Sequence, residues 1–446
     1  MKRIVSLIVA LILLLVIMAH GSSSAAEGIN GHWDGALTRL GSAQPVSFDF
    51  SSDAAGNVTG TYDIPELGLF DEAFTDAHLD GNQLTLHFLY GRFALQFHPD
   101  VADLTGLNER WNPPVDLHLK RTLAVSTYRQ EDVIVANGAV QLAGTLYRPL
   151  SDGPHPLLVM VPGSSERGRE SFEYRGYGPL LAQQGIAAFV YDKRNVGKSS
   201  RTATKPTFSE YASDANAIVN ALRKHGGVDP TRIGLGGTSQ GGWIAPLAAA
   251  TNGNVAFLVL CSGPAVSVQR QELDRVAATL RERNATSADI AMALKITQAY
   301  FDVGKGRAPL SDLQSDIAWL DLHEPAWSDV LTAPSPGESL QGAIDDWKQL
   351  DFDPAATLTK TRIPSLAFFG TLDDEVTAAD NVPLMRRLLE ANNLHNKIVV
   401  IEGANHALFM GQSLRGDEWH WPDQYWIWDR RAPILIPDIV SWIRSL

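Results

Sequence analysis

Apolar and polar positions alternate along the N-terminal part of the chain, from residue 27 to about residue 122. The alternation is clearest in the segments VSFDF (46–50), LTLHFLY (84–90), FALQF (93–97) and VDLHL (115–119). A period of two gives each strand one buried face. Turn sequences such as LDGN and AAGN separate the strands. We therefore predict an all-β domain over residues 27–122, an antiparallel small barrel or sandwich.

From residue 123 onward, continuous apolar runs alternate with amphipathic helical segments. The runs include HPLLVMVPG, IAAFVYD, RIGLGGTS, VAFLVLCSG, SLAFFG and KIVVIEG. Strands without alternation are buried on both faces, as in a parallel sheet that is covered by helices. Between about 264 and 360 the strand pattern stops and helical periodicity replaces it. We predict an α/β domain over residues 123–446, with a mostly parallel sheet flanked by helices and a helical cap insertion at 264–360.

The first 26 residues have the pattern of a secretory signal peptide. Lys2 and Arg3 precede an apolar run from Ile4 to Met18, and a small-residue stretch containing Ser24-Ala25-Ala26 follows. An uncleaved membrane anchor is the alternative, but the run is shorter than the roughly 20 residues that a bilayer requires. We expect an exported protein, periplasmic or secreted, with no membrane span in the mature chain.

Charge and composition exclude some classes of partner. The net charge is −13, which disfavours nucleic acid, because binding there requires Lys and Arg to neutralise phosphates. The only cysteine, Cys261, cannot form an intramolecular disulfide and lies in an apolar run. The histidines of the N-terminal domain lack the spacing of metal ligands. We therefore predict no metal and no cofactor.

The segment GLGGTSQGG, residues 234–242, admits three interpretations. A phosphate-binding Walker loop would need a lysine after Gly241, and a dinucleotide-binding loop would need a glycine at position 239; neither is present. The remaining pattern is G-x-S-x-G, with Ser239 at its centre. A sharp strand-to-helix turn strains the serine backbone and requires neighbours without Cβ atoms, while exposing the hydroxyl above the sheet. Ser239 is the predicted nucleophile.

A serine nucleophile needs a base, and that base needs an acid to orient it. His406 follows an apolar strand in VIEGANHALF, whereas His420, the next candidate, follows no strand. Asp373 and Asp374 both follow the strand that ends at Gly370. The resulting order of Ser, Asp and His along the chain is that of the α/β-hydrolases.

From about residue 125 to its end, the chain resembles an α/β-hydrolase. It is most similar to the bacterial secreted esterases and acyl hydrolases of the dienelactone hydrolase and serine aminopeptidase branches. GTSQGG resembles the nucleophile turn of that family, GANHALF its histidine loop, and GTLDDEV its Gly-x-x-Asp-x-x-Val acid loop. The last match selects Asp373 over Asp374 as the acid. VYDKRNVGKSS resembles the family's Asp-x-Arg-Gly-x-Gly-x-Ser segment, with Asn195 in place of a glycine.

The resemblance also implies an oxyanion site made of two backbone N–H groups. One belongs to Gln240, which follows the nucleophile. The other lies in the loop MVPGSSERGRES, where position favours Ser164, directly after Gly163. The same loop contains Arg167 and Arg169. They would either bind a substrate carboxylate or be solvated loop charges, and we favour the interpretation as solvated charges.

The leading functional hypothesis is an exported serine hydrolase that cleaves carboxylic esters through an acyl-enzyme intermediate. Its partner would be a small-molecule ester or acyl substrate. The late aromatic run EWHWPDQYWIW would either shape the acyl pocket or form a packed edge of the core. One alternative is a serine peptidase or amidase that uses the same triad. Another is a catalytically inert secreted protein that binds a ligand.

Overall fold

The computed structural model describes residues 28–446 except 54, 109, 165–167, 204, 332–338, 350, 391–394, 411–427 and 429. The predicted signal peptide, Arg167, His420 and all of the aromatic run except Trp428 lie outside the described residues. The chain forms two compact units. One contains Met1–Thr127 and Gly411–Arg430, and the other contains Tyr128–Met410 and Arg431–Leu446.

The first unit is built on an antiparallel sheet. Its described strands are β1 Gly31–Arg39, β2 Ser42–Ser52, β3 Val58–Ile64, β4 Leu69–Ala73, β5 Asp76–Asp80, β6 Gln83–Phe88, β7 Gly91–His98, β8 Asp103–Asn108 and β9 Val115–Thr122, with a 3-10 helix at Pro65–Leu67. They lie in the order β4-β3-β2-β1-β9-β8-β7-β6-β5. The sheet curls, so that residues near its two edges meet. A bridge between Asn57 and His78 shows this approach.

Alternating side chains on the concave face of this sheet form an aromatic core. Trp33 is fully buried, and its ring lies edge-on to Phe97 at 5.9 Å between centroids. Trp428, the described residue of the late aromatic run, packs against Tyr90 of the same unit at 5.3 Å. This contact is that of a packed core edge. The prediction of an antiparallel N-terminal β-domain is confirmed.

The second unit contains a mixed sheet. Its strands are β10 Arg129–Asn137, β11 Val140–Arg148, β12 His155–Val161, β13 Ala187–Tyr191, β14 Val228–Thr238, β15 Phe257–Cys261, β16 Ser365–Gly370 and β17 Lys397–Ile401, in the order β10-β11-β13-β12-β14-β15-β16-β17. The pairs β10/β11 and β11/β13 are antiparallel, and the remaining pairs are parallel. Two short strands follow along the chain, β18 Phe409–Met410 in this unit and β19 Arg430–Arg431, in which Arg430 belongs to the first unit and Arg431 to the second.

Helices follow most strands of this unit. They are α1 Phe172–Arg175, α2 Tyr177–Ala182, α3 Phe208–Leu222, α4 Gly241–Ala249, α5 Val268–Glu282, α6 Ser287–Gly304, α7 Leu310–His323, α8 Leu340–Gln349, α9 Ala355–Lys360, α10 Ala378–Glu390 and α11 Leu435–Arg444, with a 3-10 helix at Ser328–Val330. Every residue of β13, β15 and β16 is buried, as the unbroken apolar runs predict. The predicted α/β-hydrolase fold is confirmed.

The helices between β15 and β16 form the cap insertion and have an apolar core of their own. Buried side chains of α5, α6 and α7 meet there, among them Val276, Ile296 and Leu313. A separate core explains why helical periodicity replaces the strand pattern in this part of the sequence. Within the described part of the chain, no helix combines the length and apolarity that crossing a membrane requires.

The order of the strands determines where a ligand can bind. Strand β12 has β13 on one side and β14 on the other, so the chain reverses its direction of travel across the sheet at this point. In sheets of this type, a crevice opens outside the carboxyl ends of the strands at such a reversal. Val161 pairs with Gly237 at those ends. The loops that carry Ser164 and Ser239 therefore leave the sheet side by side.

Candidate active site

Ser239 lies in a strained turn between β14 and α4. Its φ is +51°, a left-handed conformation that is costly for a residue with a Cβ atom. Its N–H donates to the carbonyl of Cys261 at 3.0 Å, and its own carbonyl accepts from Gly242 at 2.7 Å. These hydrogen bonds tie both sides of the turn to the sheet and the helix, so the serine is held at the carboxyl edge of β14.

The two glycines of the G-x-S-x-G pattern are required by close backbone contacts. A Cβ atom on Gly237 would lie 2.3 Å from the carbonyl oxygen of Gly241. A Cβ atom on Gly241 would lie 2.2 Å from the carbonyl oxygen of Val161. Neither distance is compatible with a side chain, because the obstructing atoms are backbone. The turn that presents Ser239 therefore forms only with glycine at both positions.

The loop after β12 lies directly against this turn. A Cβ atom on Gly163 would be 3.2 Å from the Cβ atom of Ser239, so the two backbones are in near contact. The N–H of Gly163 donates to the hydroxyl of Tyr174 at 3.0 Å. Ser164 and Gln240 lie beside Ser239, and each lines a cavity that Ser239 also lines. The two amides that the sequence analysis assigns to an oxyanion site therefore belong to residues that line cavities together with Ser239.

His406 and Asp373 come together from loops that are 33 residues apart in sequence. Nδ1 of His406 lies 2.9 Å from Oδ1 and 3.0 Å from Oδ2 of Asp373. The Asp373 side chain is fully excluded from solvent, and Oδ1 also accepts the N–H groups of Glu375 at 3.0 Å and Val376 at 2.7 Å. The carboxylate therefore has a fixed position from which it orients the imidazole. The structure thus brings Asp373, the acid that the resemblance selects, to Nδ1 of His406.

The environment of His406 favours its protonated form. Burial lowers the pKa of His406, but the Asp373 carboxylate outweighs it, with help from Glu375 and Asp374, and raises the pKa to about 9. The imidazole is still 19% exposed, so it has access to the crevice. An imidazole with this pKa stabilises a positive charge readily, as a base must after it takes a proton.

Two cavities meet at Ser239. One, of about 170 Å³, is lined by Ser239 and His406 together with Tyr174, Tyr177 and Leu408. The other, of about 250 Å³, extends between α3, α4 and the cap helix α5, and its walls include Phe208, Trp243, Val268 and Arg275. Ser164, Ser239 and Glu375 line both. Ser239 therefore has space on two sides.

Glu375 is a charged residue that the sequence analysis did not single out and that lines both cavities. Its Oε2 lies 3.5 Å from Nε2 of His406, the nitrogen that faces away from Asp373, and its side chain is 52% exposed. The residue stands two positions after Asp373 in the acid loop. The direction of a side chain in a loop depends on the conformation of that loop, which the sequence pattern does not give. The structure shows that the Glu375 side chain lines both cavities.

The charged residues of the segment after β13 have partners within the fold. Asp192 accepts the N–H of Arg169 at 2.7 Å, and Arg194 pairs with the buried Asp214 at 2.7 Å. Asn195 adopts a φ of +72°, the left-handed conformation that the usual glycine provides. Arg169 is 3% exposed and lies 3.4 Å from Asp132. Arg169 is therefore a buried cation paired with a carboxylate that is itself 67% exposed, and not the solvated loop charge favoured from the sequence.

Sequence comparisons are consistent with this geometry. The sequence profile of the alpha/beta hydrolase family matches residues 158–415, which is more than half of the chain. Esterase EstD of Thermotoga maritima is 25% identical over 294 residues, 64% of this chain and 61% of the relative. Esterase FrsA of Escherichia coli is 25% identical over 230 residues, 51% of this chain and 49% of the relative.

A third relative carries a different activity in its name. Thiohydrolase aneE of Aspergillus aculeatus is 28% identical over 165 residues, 36% of this chain and 50% of the relative. The chain thus spans about half to three fifths of the length of the curated relatives described above. The family match covers β12 to the histidine loop, the part of the chain that holds Ser239, Asp373 and His406. The chain belongs to the alpha/beta hydrolase family.

Proposed function

We propose that the chain is an exported serine hydrolase that cleaves carboxylic esters through an acyl-enzyme intermediate. The observation that carries the proposal is Ser239 at a φ of +51° in the strand-to-helix turn, sharing one cavity with an imidazole that Asp373 orients. A strained serine beside an oriented histidine is an arrangement for nucleophilic attack. The names of two relatives, esterases, support the choice of ester.

The proposed reaction has two steps. The Oγ of Ser239 attacks the carbonyl carbon while Nε2 of His406 takes the hydroxyl proton, and the N–H groups of Ser164 and Gln240 hold the oxyanion. Collapse of this tetrahedral intermediate breaks the bond to the alcohol oxygen, which receives the proton from His406. A water molecule then gives its proton to His406 and attacks the acyl-enzyme. The acid is released, and the proton returns to Ser239.

The two cavities that meet at Ser239 suit the two halves of a small-molecule ester. One side would take the acyl group and the other the alcohol, with the scissile carbonyl at their junction. The larger cavity has the aromatic rings of Phe208 and Trp243 in its wall, which are 5.6 Å apart between centroids and stacked. We assign the more apolar half of the substrate to this side.

The test is hydrolysis of nitrophenyl esters of graded acyl length by the full chain. Wild type and Ser209→Ala, an exposed serine of α3, should turn over at the same rate. Ser239→Ala should lose at least about 10³-fold in kcat, because the acyl-enzyme cannot form. Wild-type inactivity towards every ester would contradict the proposal and favour an inert ligand-binding protein.

A serine amidase or peptidase is the second candidate, and Glu375 favours it. A carboxylate that lines both cavities, 3.5 Å from Nε2 of His406, is placed to attract a substrate amine. Side-by-side rates on aminoacyl anilides and on the matching uncharged acyl esters distinguish the two. Preference for the aminoacyl anilides that disappears in Glu375→Gln would replace ester hydrolysis by amide hydrolysis as the conclusion.

Export rests on the signal-like residues 1–26 alone. We propose that this segment is removed during export. Sequencing of the N-terminus of the protein recovered from a bacterial periplasm or medium should give a start close to residue 27. Recovery of a chain that begins at Met1 and remains with the membrane would contradict cleavage.

A further inference from the structure

Lys193 places a positive charge behind the loop that carries Ser164. Its Nζ donates to the carbonyl of Gly163 at 2.8 Å and to the carbonyl of Ser164 at 2.9 Å. The residue is only 7% exposed, and its ammonium lies 5.7 Å from the centre of the Tyr211 ring. Two consecutive carbonyl groups therefore converge on one buried cation.

The first of these carbonyls belongs to the same peptide unit as the N–H of Ser164. A peptide unit is planar and trans, so its C=O and its N–H point in opposite directions. A cation that fixes the carbonyl of Gly163 on one side therefore fixes the direction of the Ser164 N–H on the other. The same charge draws electron density towards the carbonyl oxygen, which makes the N–H a stronger donor.

The loop is restrained from other directions as well. The N–H of Gly163 donates to Tyr174, and Gly163 itself lies against the Cβ atom of Ser239. These contacts set how close the loop can come to the nucleophile, but they leave the rotation of the Gly163–Ser164 peptide open. Among the residues that the structure describes, Lys193 supplies a contact that acts directly on this peptide.

The neighbours of Lys193 explain why its side chain turns towards the loop after β12. Asp192 accepts backbone N–H groups of Arg169 and Lys198, and Arg194 binds Asp214 on α3. Lys193 lies two residues after Tyr191, where β13 ends. Lys193, between two residues that hold their own loop and helix, is thereby directed to the neighbouring loop.

We propose that Lys193 is a positioning residue of the oxyanion site, acting through the Gly163–Ser164 peptide. The inference rests on the proposed serine hydrolase function and adds to it a residue outside the triad. Lys193 does not touch the substrate. It holds and polarises the amide that receives the developing negative charge, so its effect belongs to the transition state and not to substrate binding.

The experiment compares Lys193→Met, Lys193→Arg and Lys198→Met in the full chain, with active sites counted by fluorophosphonate titration. Lys198 is exposed and serves as the matched control. We expect Lys193→Met to lower kcat about 10- to 100-fold, somewhat less than loss of an oxyanion donor, with KM changed less than about threefold. Lys193→Arg, which keeps the charge, should recover part of the loss. Lys198→Met should match wild type.

A second measurement separates positioning from a general effect on folding. An alkyl boronic acid forms a tetrahedral adduct on Ser239 whose oxygen occupies the oxyanion site. Its inhibition constant should weaken in Lys193→Met by the same factor as kcat/KM. Two results would contradict the inference. In one, Lys193→Met loses kcat while its inhibition constant stays at the wild-type value; in the other, its kcat per titrated site is unchanged. In both cases the ester hydrolase proposal stands. If wild type neither hydrolyses esters nor binds the boronic acid, the proposed function fails, and the inference fails with it.

Discussion

Nδ1 of His406 lies 2.9 Å from Oδ1 of Asp373, a carboxylate that solvent does not reach. The same oxygen accepts two backbone N–H groups of its own loop, from Glu375 and Val376. Hydrogen bonds within its own loop therefore hold the Asp373 carboxylate in place, in addition to its contact with His406. This relationship leaves Nε2 as the imidazole nitrogen available to the cavity that Ser239 lines.

Replacing Asp373 by asparagine should disable the site without disturbing the packing. The asparagine amide can donate to Nδ1, which stabilises the wrong imidazole tautomer and leaves no carboxylate to stabilise the imidazolium. We expect kcat for ester hydrolysis to fall by about 10³- to 10⁴-fold. Asp374→Asn, on the adjacent and partly exposed residue, should change kcat by less than about fivefold. Equal losses in the two variants would contradict the choice of Asp373.

The pH dependence of kcat/KM follows from the charge state of His406. The base must be neutral to take a proton from Ser239, and the pKa of His406 is raised to about 9. Activity should therefore rise with pH through about 9, because the inactive imidazolium is populated below that value. A plateau that is already reached at pH 7 would show that the free imidazole is not held in its charged form.

Glu375→Gln should move this profile towards lower pH. The carboxylate lies 3.5 Å from Nε2 and contributes to the raised pKa of His406, but it is half exposed, so solvent screens it. Exposed pairs contribute about 0.2 to 1 kcal/mol, which corresponds to a displacement of roughly 0.2 to 0.7 of a pH unit. The pH profile of nitrophenyl ester hydrolysis measures it. A displacement to higher pH would have the wrong sign.

The nucleophile turn should not tolerate alanine at its glycines. In Gly241→Ala the new methyl group would lie 2.2 Å from the carbonyl oxygen of Val161, so the helix and β12 must separate. We expect the free energy of unfolding to fall by about 1 to 3 kcal/mol, together with activity. Gly226→Ala, where a Cβ atom meets nothing within 4 Å, is the control. Chemical denaturation of the three proteins gives the comparison.

Much of the site was predictable because its residues follow strands that the sequence makes obvious. The run before Ser239 and the run before Asp373 are buried strands, β14 and β16, and side chains that follow parallel strands collect at one edge of the sheet. Glycine at positions 237 and 241 indicates the close backbone contacts of the turn, because a side chain at either position would clash. Local patterns of this kind need no knowledge of distant partners.

The residues that the sequence missed depend on such partners. Lys193 lies in a segment that looks like a structural support, and only the packing of that segment against the loop after β12 brings Nζ to the Gly163 carbonyl. Tyr174 reaches Gly163 from α1, a four-residue helix too short to produce a periodic signal. Arg169 shows the same effect in reverse, since an apparent loop charge is buried against Asp132.

The central claim is that Ser239 forms the covalent bond to the acyl group, and trapping tests it most directly. The full chain is incubated with a fluorophosphonate, digested, and the modified residue is located by mass spectrometry. The account predicts one adduct, on the peptide that contains Ser239, and none in Ser239→Ala. No adduct on wild type, or an adduct on another residue that persists in Ser239→Ala, would contradict it.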